Sequence, residues 1–319
     1  MTTWIVGAGG QDGRILSSEL EATGKDLILQ FSREIDFPNG SKQAINGLNT
    51  DKASEIINEF NVEHIYFLAA HSRPSSVRQQ EKENVAQKYL QVEALFESIC
   101  KAALLEEKEI SIFLASSSLI FSGSTQSPQN EETAPTPIEP YALSKVIMTE
   151  ILYEYSKKSD LIRPVVGIFY NHESTLRTQR YLSHRVINHA LDIHSGAKTI
   201  PKLNLKTGEN CFDISHANDF IYNLIELMKT NFAGNCIFSS GSSISIQEFC
   251  NFVFQELNLN YEEHIYFEDK NIIDEANIEL VGDNSLLKSS IMEPKISHPS
   301  QTVKRLVNEW EEKRLTHEK

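Results

Sequence analysis

Short apolar runs alternate along the chain with longer stretches in which apolar residues recur at helical spacing. Residues 4–6 form the first run and end directly in glycines, and residues 14–22 follow with a helical period. The runs 27–31, 65–70, 110–115 and 165–170 read as further strands, and the stretches 50–60, 77–101 and 142–155 as the helices between them. Continuous apolar strands alternating with helices predict an α/β fold, a doubly wound parallel sheet covered on both faces.

The rhythm changes after about residue 170. Residues 171–210 are polar and basic. Helix and strand signals return at 218–229 and 236–239, and Ser245-Ile246-Gln247-Glu248 has the form of a capping box opening a helix to residue 257. The Ser/Thr/Pro-rich stretch 122–137 is too short for a linker and is expected to be a loop at the mouth of a site.

Composition narrows the possibilities. With 40% hydrophobic and 23% charged residues, the 319-residue chain can bury a large core. A formal net charge of −14 disfavours nucleic acid and anionic membranes as partners. No apolar run approaches the roughly 20 residues that span a bilayer, and the first residues lack a basic-then-apolar signal, so a cytoplasmic protein is expected. Cys100, Cys211, Cys236 and Cys250 are scattered without CxxC spacing, which fits reduced thiols and no metal site. His184, His189 and His194 are five apart, which misses the spacing of a metal-binding helix face.

Candidate chemistry begins at Gly7-Ala8-Gly9-Gly10-Gln11-Asp12-Gly13, between the first strand and the first helix. In that position Gly7 makes the tight turn, Gly10 lets the backbone approach a pyrophosphate, and Gly13 allows helix to pack on strand. The second strand ends in Ser32-Arg33 rather than an acid, and a hydroxyl and a guanidinium suit a 2′-phosphate, so NADP(H) is favoured over NAD(H). Tyr141 and Lys145 share a helix face. A nearby ammonium is expected to lower the phenol pKa, fitting the tyrosine for proton exchange with a sugar or alcohol oxygen. Ser116, Ser117 and Ser118 close a strand whose C-terminal end should face the ligand crevice. Arg177, Arg180 and Arg185 form a basic cluster that is either a solvated face or a diphosphate clamp.

Taken together these residues resemble the extended short-chain dehydrogenase/reductase family, and within it the GDP-mannose 4,6-dehydratases. The resemblance rests on the glycine loop, Leu68-Ala69-Ala70, Tyr141 with Lys145, Asn171-His172-Glu173-Ser174, His216-Ala217-Asn218-Asp219 and residues 241–249. It implies a Rossmann domain over residues 1–170 plus about 213–240, and a smaller α/β nucleotide-sugar domain over about 171–212 plus 241–319. It further implies Ser117, Tyr141 and Lys145 as the catalytic set. The implied cofactor residues are Gly7, Gly10, Gln11, Asp12, Gly13, Ser32, Arg33, Leu68, Ala69, Ala70, Tyr141, Lys145 and His172, and the implied substrate residues are His71, Ser118, Asn171 and Arg185, the last where the family has a phosphate-contacting lysine. The expected partner is a nucleoside-diphosphate sugar, and a homodimer forms in that family through two long helices, with a tetramer as an extension.

Three departures bear on the reaction. Leu119 stands where the dehydratases place an acid that removes the C5 proton, and Glu131, Glu132 and Glu173 have no spacing that would replace it. Phe212 occupies the position of an expected arginine beside Asp213. The late Arg-Pro pair is absent, since Ile278-Glu279-Leu280-Val281 leads into Gly282-Asp283. The expected function is therefore redox chemistry at sugar C4. A GDP-sugar 4-ketoreductase ranks first, an epimerase second and a dehydratase third, with a non-catalytic nucleotide-sugar or NADP-binding protein as the alternative class.

Overall fold

The computed structural model describes residues 2–44, 47–70, 85–196, 200–268 and 279–317. Its first strand, β1 (Thr2–Val6), is buried along its whole length, as a central parallel strand must be. On one side β1 pairs with β2 (Asp26–Gln30), followed by the short antiparallel β3 (Glu34–Asp36) and β4 (Lys42–Ala44). On the other lie, in parallel, β5 (Val62–Phe67), β6 (Ile110–Ser117), β7 (Ile162–Phe169) and β11 (Gly234–Phe238). The order across this eight-stranded sheet is β4-β3-β2-β1-β5-β6-β7-β11.

Alternation along β1 divides the core. Trp4 and Val6 pack with α2 (Thr50–Glu59), α3 (Val85–Leu104) and α4 (Pro140–Ser156) through Ile56, Phe96, Ile99, Met148 and Leu152. Ile5 faces the opposite layer of α1 (Gln11–Glu21), α6 (Ala217–Met228) and α9 (Ser285–Ser290) through Leu16, Leu20, Leu224 and Leu287. This is the predicted doubly wound α/β sheet.

A smaller body holds β8 (Asn171–Glu173), β10 (Cys211–His216) and β12 (Ser243–Ser245) in the order β12-β10-β8, with β9 (Leu203–Leu205) paired to β13 (Ile265–Phe267). Helices α5 (Leu182–His194), α7 (Ile246–Glu256), α8 (Tyr261–His264) and α10 (Pro299–His317) pack around it, and Val186, Phe249, Phe254, Val303, Leu306 and Trp310 fill its core. The capping box at α7 forms with both arms: Glu248 N donates to Ser245 Oγ (3.0 Å) and Ser245 N to Glu248 Oε2 (2.8 Å). The partition differs in detail from the expected one. β10 stays in the smaller sheet as far as His216, while α9 returns to the large body because Leu287 and Ile291 bury against it.

The stretch 122–137 is corrected. Gln129 is fully buried, its N donates to Val281 O (2.8 Å), and Tyr170 Oη donates to Gln129 Oε1 (2.8 Å). The loop fastens residues 281–283 to the sheet and does not border the site described below. Among the described residues no helix is long and apolar enough to cross a membrane.

Candidate active site

Strand order reverses at β1, because the chain passes from β1 to β2 on one side and returns to β5 on the other. Loops leaving the carboxyl ends of two such strands diverge and leave a crevice. Here Gly7 (φ +98°) turns so tightly that a Cβ would lie 2.7 Å from Ala69 N, which locks the glycine loop against Leu68-Ala69-Ala70. At Gly13 a Cβ would stand 2.7 Å from Ala8 Cα, whereas at Gly10 it would meet nothing nearer than 3.5 Å. Two glycines are thus needed for packing, and the third leaves an open face at the start of α1. Gly10 caps that helix without a side-chain bond, so its first N–H groups suit an anion.

The crevice is a cavity of about 610 Å³. The glycine-loop residues Gly7, Gly10, Gln11, Asp12 and Gly13 line it together with Leu68, Ala70 and His172, as do Ser116, Ser117, Ser118, Leu119, Tyr141, Lys145 and Asn171. Ala69 joins through its backbone contact with Gly7. Ser116 Oγ is buried at this wall without a protein partner, the state of a donor that waits for a ligand. These features fit a dinucleotide.

Ser117 ends β6 and caps the short 3₁₀ turn Ser118–Phe121, its Oγ accepting from Leu119 N at 3.3 Å. Its hydroxyl also faces the Tyr141 phenol closely enough to favour the ionised form. Lys145 is buried, with Nζ donating to Ala115 O at 2.7 Å and lying 5.8 Å from the centre of the Tyr141 ring. The predicted lowering of the phenol pKa does not occur. Burial pushes Tyr141 up to about 12, with the Ser117 hydroxyl opposing, and burial also pulls Lys145 down to about 8. Desolvation outweighs the i, i+4 pairing, and the ammonium spends a hydrogen bond on the Ala115 carbonyl.

Beneath the glycine loop lies a compact polar cluster. His172 Nε2 meets Asp12 Oδ1 at 3.0 Å and Nδ1 meets Tyr170 O at 2.7 Å, so both ring nitrogens face acceptors. Gln11 Nε2 donates to His172 O (3.2 Å), and Ser174 Oγ donates to Gln11 Oε1 (2.9 Å). Burial alone would raise the Asp12 carboxyl, but His172 and Arg177 hold it well below the usual carboxylate range. A helix start that must attract phosphate thereby has its own carboxylate neutralised.

Other candidates lie elsewhere. Ser32 and Arg33 form the exposed tip between β2 and β3, outside the cavity lining. Arg185 sits on α5 with Nη2 bonded to Asn204 O (3.3 Å) and also does not line the cavity. The member of the basic cluster that does is Arg177, which donates to Glu173 Oε2 (3.2 Å) and His172 O (3.0 Å) and lies over the Tyr181 ring. Phe212 packs on Phe249 in the smaller core. Asp213 beside it accepts from Ser240 N and Gly241 N, with burial raising its carboxyl to about 6. His71, with Ser72 and Arg73, lies outside the described residues. Sequence reasoning missed Tyr89, Glu139 and Tyr181 in the lining. Glu139 alone had a local signal, as it stands two residues before Tyr141.

The profile of the GDP-mannose 4,6 dehydratase family matches residues 4–306. The chain belongs to this family. A relative from Sordaria araneosa, described as GDP-mannose 4,6-dehydratase sdnI, is 25% identical over 271 residues, covering 82% of this chain and 49% of the relative. The chain thus spans about half the length of that relative. Among solved structures, MoeE5 in complex with UDP-glucose and NAD superposes with a TM-score of 0.78 at 17% identity, covering 99% of this chain and 100% of that one. RMD from Pseudomonas aeruginosa complexed with NADPH superposes at 0.74 with 15% identity, covering 98% of each. This member of the dehydratase family therefore shares its Rossmann fold with proteins bound to either nicotinamide dinucleotide, and it carries a leucine at position 119.

Proposed function

We propose that the chain is an NADP(H)-dependent enzyme of nucleotide-sugar metabolism that reduces a 4-keto sugar. The observation that carries this reading is the cavity wall itself, where Ser117, Tyr141 and Lys145 stand together while Leu119 occupies the turn after Ser117. A phenol with its pKa raised to about 12 keeps its proton through neutrality, which suits a group that must give one to a ketone oxygen. Ser117 hydrogen-bonds the same oxygen and orients it. Lys145, still charged below about pH 8, supplies positive potential beside the developing alkoxide. The glycine loop, Lys145 and His172 would hold the dinucleotide, whose contribution when bound is the hydride. Leucine carries no proton, so the C5 deprotonation of a 4,6-dehydratase has no acid at that turn.

Two finer assignments accompany the proposal. Arg33 and Ser32 would reach a 2′-phosphate from the tip between β2 and β3. A homodimer would form over α3 and α4, where Leu90, Leu143 and Ile147 are exposed at 62%, 50% and 37%. The deciding experiment gives the purified protein either GDP-mannose with NADP or GDP-4-keto-6-deoxymannose with NADPH. NADPH consumption with the keto sugar is the expected result. Efficient formation of a 4-keto-6-deoxy product from GDP-mannose would overturn the reading.

A further inference from the structure

The first turn of α1, which the glycine loop opens, is tied to the other body of the molecule. Gln11 and Asp12 line the cavity, yet their side chains bond to β8 and the residue that follows it. Gln11 Nε2 donates to His172 O (3.2 Å), Gln11 Oε1 accepts from Ser174 Oγ (2.9 Å), and Asp12 Oδ1 meets His172 Nε2 (3.0 Å). Ser174 is 4% exposed and stands outside the cavity lining. Its hydroxyl accepts from Leu176 N (3.2 Å) and gives its single proton to Gln11.

Ser174 therefore decides how the Gln11 amide points. An amide has an acceptor end and a donor end, and the Ser174 hydroxyl holds the acceptor end. That turns Nε2 towards two acceptors, His172 O and Asp12 Oδ1 (3.1 Å). The segment on the far side is firmly held. β8 pairs with β10 from Asn171 to Glu173, and Glu173 Oε2 accepts from Ser183 Oγ at the start of α5 (2.7 Å) and from Arg177 Nε (3.2 Å). Asn171, Arg177 and Tyr181 on this segment line the cavity as well. The amide is thus a strut with the dinucleotide cradle at one end and the smaller body at the other.

A ligand held by Asn171, Arg177 or Tyr181 fixes the same segment that Ser174 joins to Gln11. Order that the first ligand imposes on this strut is already present when the second arrives, so each ligand favours the other. We propose that Ser174 is a positioning residue: by fixing the Gln11 amide it couples the two ligand sites, so that a nucleoside diphosphate bound to the smaller body tightens NADPH at the glycine loop. The coupling is reciprocal, because the binding free energies form a closed cycle. The inference rests on the nucleotide-sugar reading of the site, but its signal does not depend on hydride transfer.

The test is NADPH binding to the full chain, followed by cofactor fluorescence, with and without GDP, UDP, dTDP or CDP. Binding of each diphosphate alone is measured by calorimetry. A diphosphate that binds wild type is expected to lower the NADPH dissociation constant about 5- to 150-fold, the usual size of such coupling. Ser174→Ala should abolish most of that gain, and Ser174→Thr, which keeps the hydroxyl, should retain it. A merely structural serine would lower the melting temperature and weaken NADPH equally with and without the diphosphate. An unchanged gain in Ser174→Ala therefore overturns the proposal, as does a diphosphate that binds wild type without strengthening NADPH. Should Ser174→Ala not melt cooperatively, Ser174→Cys gives the same reading with a weak donor in place of the hydroxyl. Binding by none of the four diphosphates would remove the nucleotide-sugar reading and this inference with it, whereas binding without coupling removes the inference alone.

Discussion

The two sides of the cavity are built on different physical terms. On the glycine-loop side the backbone does the work: Gly7 and Gly13 have no room for a side chain, and the open face over Gly10 leaves helix N–H groups available. On the Ser117–Tyr141 side the side chains decide, and there a leucine and a glutamate stand beside the two hydroxyls. A backbone cradle accepts any dinucleotide phosphate and tolerates little change. The side-chain wall can exchange one residue and alter the reaction while the fold stays the same. That difference explains how the chain belongs to a dehydratase family and yet lacks the acid at position 119.

Removing the phenol proton gives the largest expected break. Tyr141→Phe should lower keto-sugar reduction roughly 10²–10⁴-fold, and a variant with full turnover would remove Tyr141 from the reaction. On the other side, Gly7→Ala forces a Cβ to within 2.7 Å of Ala69 N at a positive φ. Strain of about 1–3 kcal/mol should weaken cofactor binding by about 5- to 150-fold in a fluorescence titration, and undiminished affinity would show that the loop is not the cradle.

Smaller effects sharpen the contrast. The reductive rate should be level through neutrality and fall above about pH 8, where Lys145 loses its charge; a level profile well beyond that point would separate Lys145 from the step. Arg33→Ala should cost NADPH about tenfold more affinity than NADH, the size of one charge-assisted hydrogen bond, and equal losses would return Arg33 to the surface. Least in size is an acid effect. The folded Asp12 carboxyl titrates below its unfolded value of 3.8, so its stabilising contribution is complete above that pH and is lost as pH falls further. Asp12→Asn should therefore flatten the drop in melting temperature on acidification below about pH 4. An unchanged slope would mean the His172 pairing does not stabilise the fold.

The alternation of strands and helices, the glycine loop and the Tyr141–Lys145 pair were legible because each depends on short-range spacing. The capping box at Ser245 and Glu248 formed for the same reason. Features that arise from packing were not legible. Burial reversed the expected shift at Tyr141, since the depth of a side chain is set by elements far away in sequence. Arg177 and Arg185 looked alike in a basic cluster, and only the fold places one at the cavity and the other against Asn204. Tyr89 reaches the site from α3, some fifty residues from Tyr141, and nothing in its local sequence marks it. The strands β8, β9, β12 and β13 were not legible because three-residue strands have too little period to read.

Helix α10 has a consequence for the order in which the molecule can be made. Val303, Leu306, Val307 and Trp310 fill the core of the smaller body, and Arg305 and Glu309 reach across to Asp219 (2.8 Å) and His216 (2.9 Å) at the start of α6. On a ribosome adding residues one at a time, the glycine loop and Tyr141 are synthesised long before that helix exists. The smaller body must then wait, with its apolar residues uncovered, until the stretch containing Trp310 has left the exit tunnel. At about 5–20 residues per second, the roughly 170 residues between Tyr141 and Trp310 give the nascent chain an interval of about 10–30 seconds in which chaperones can bind.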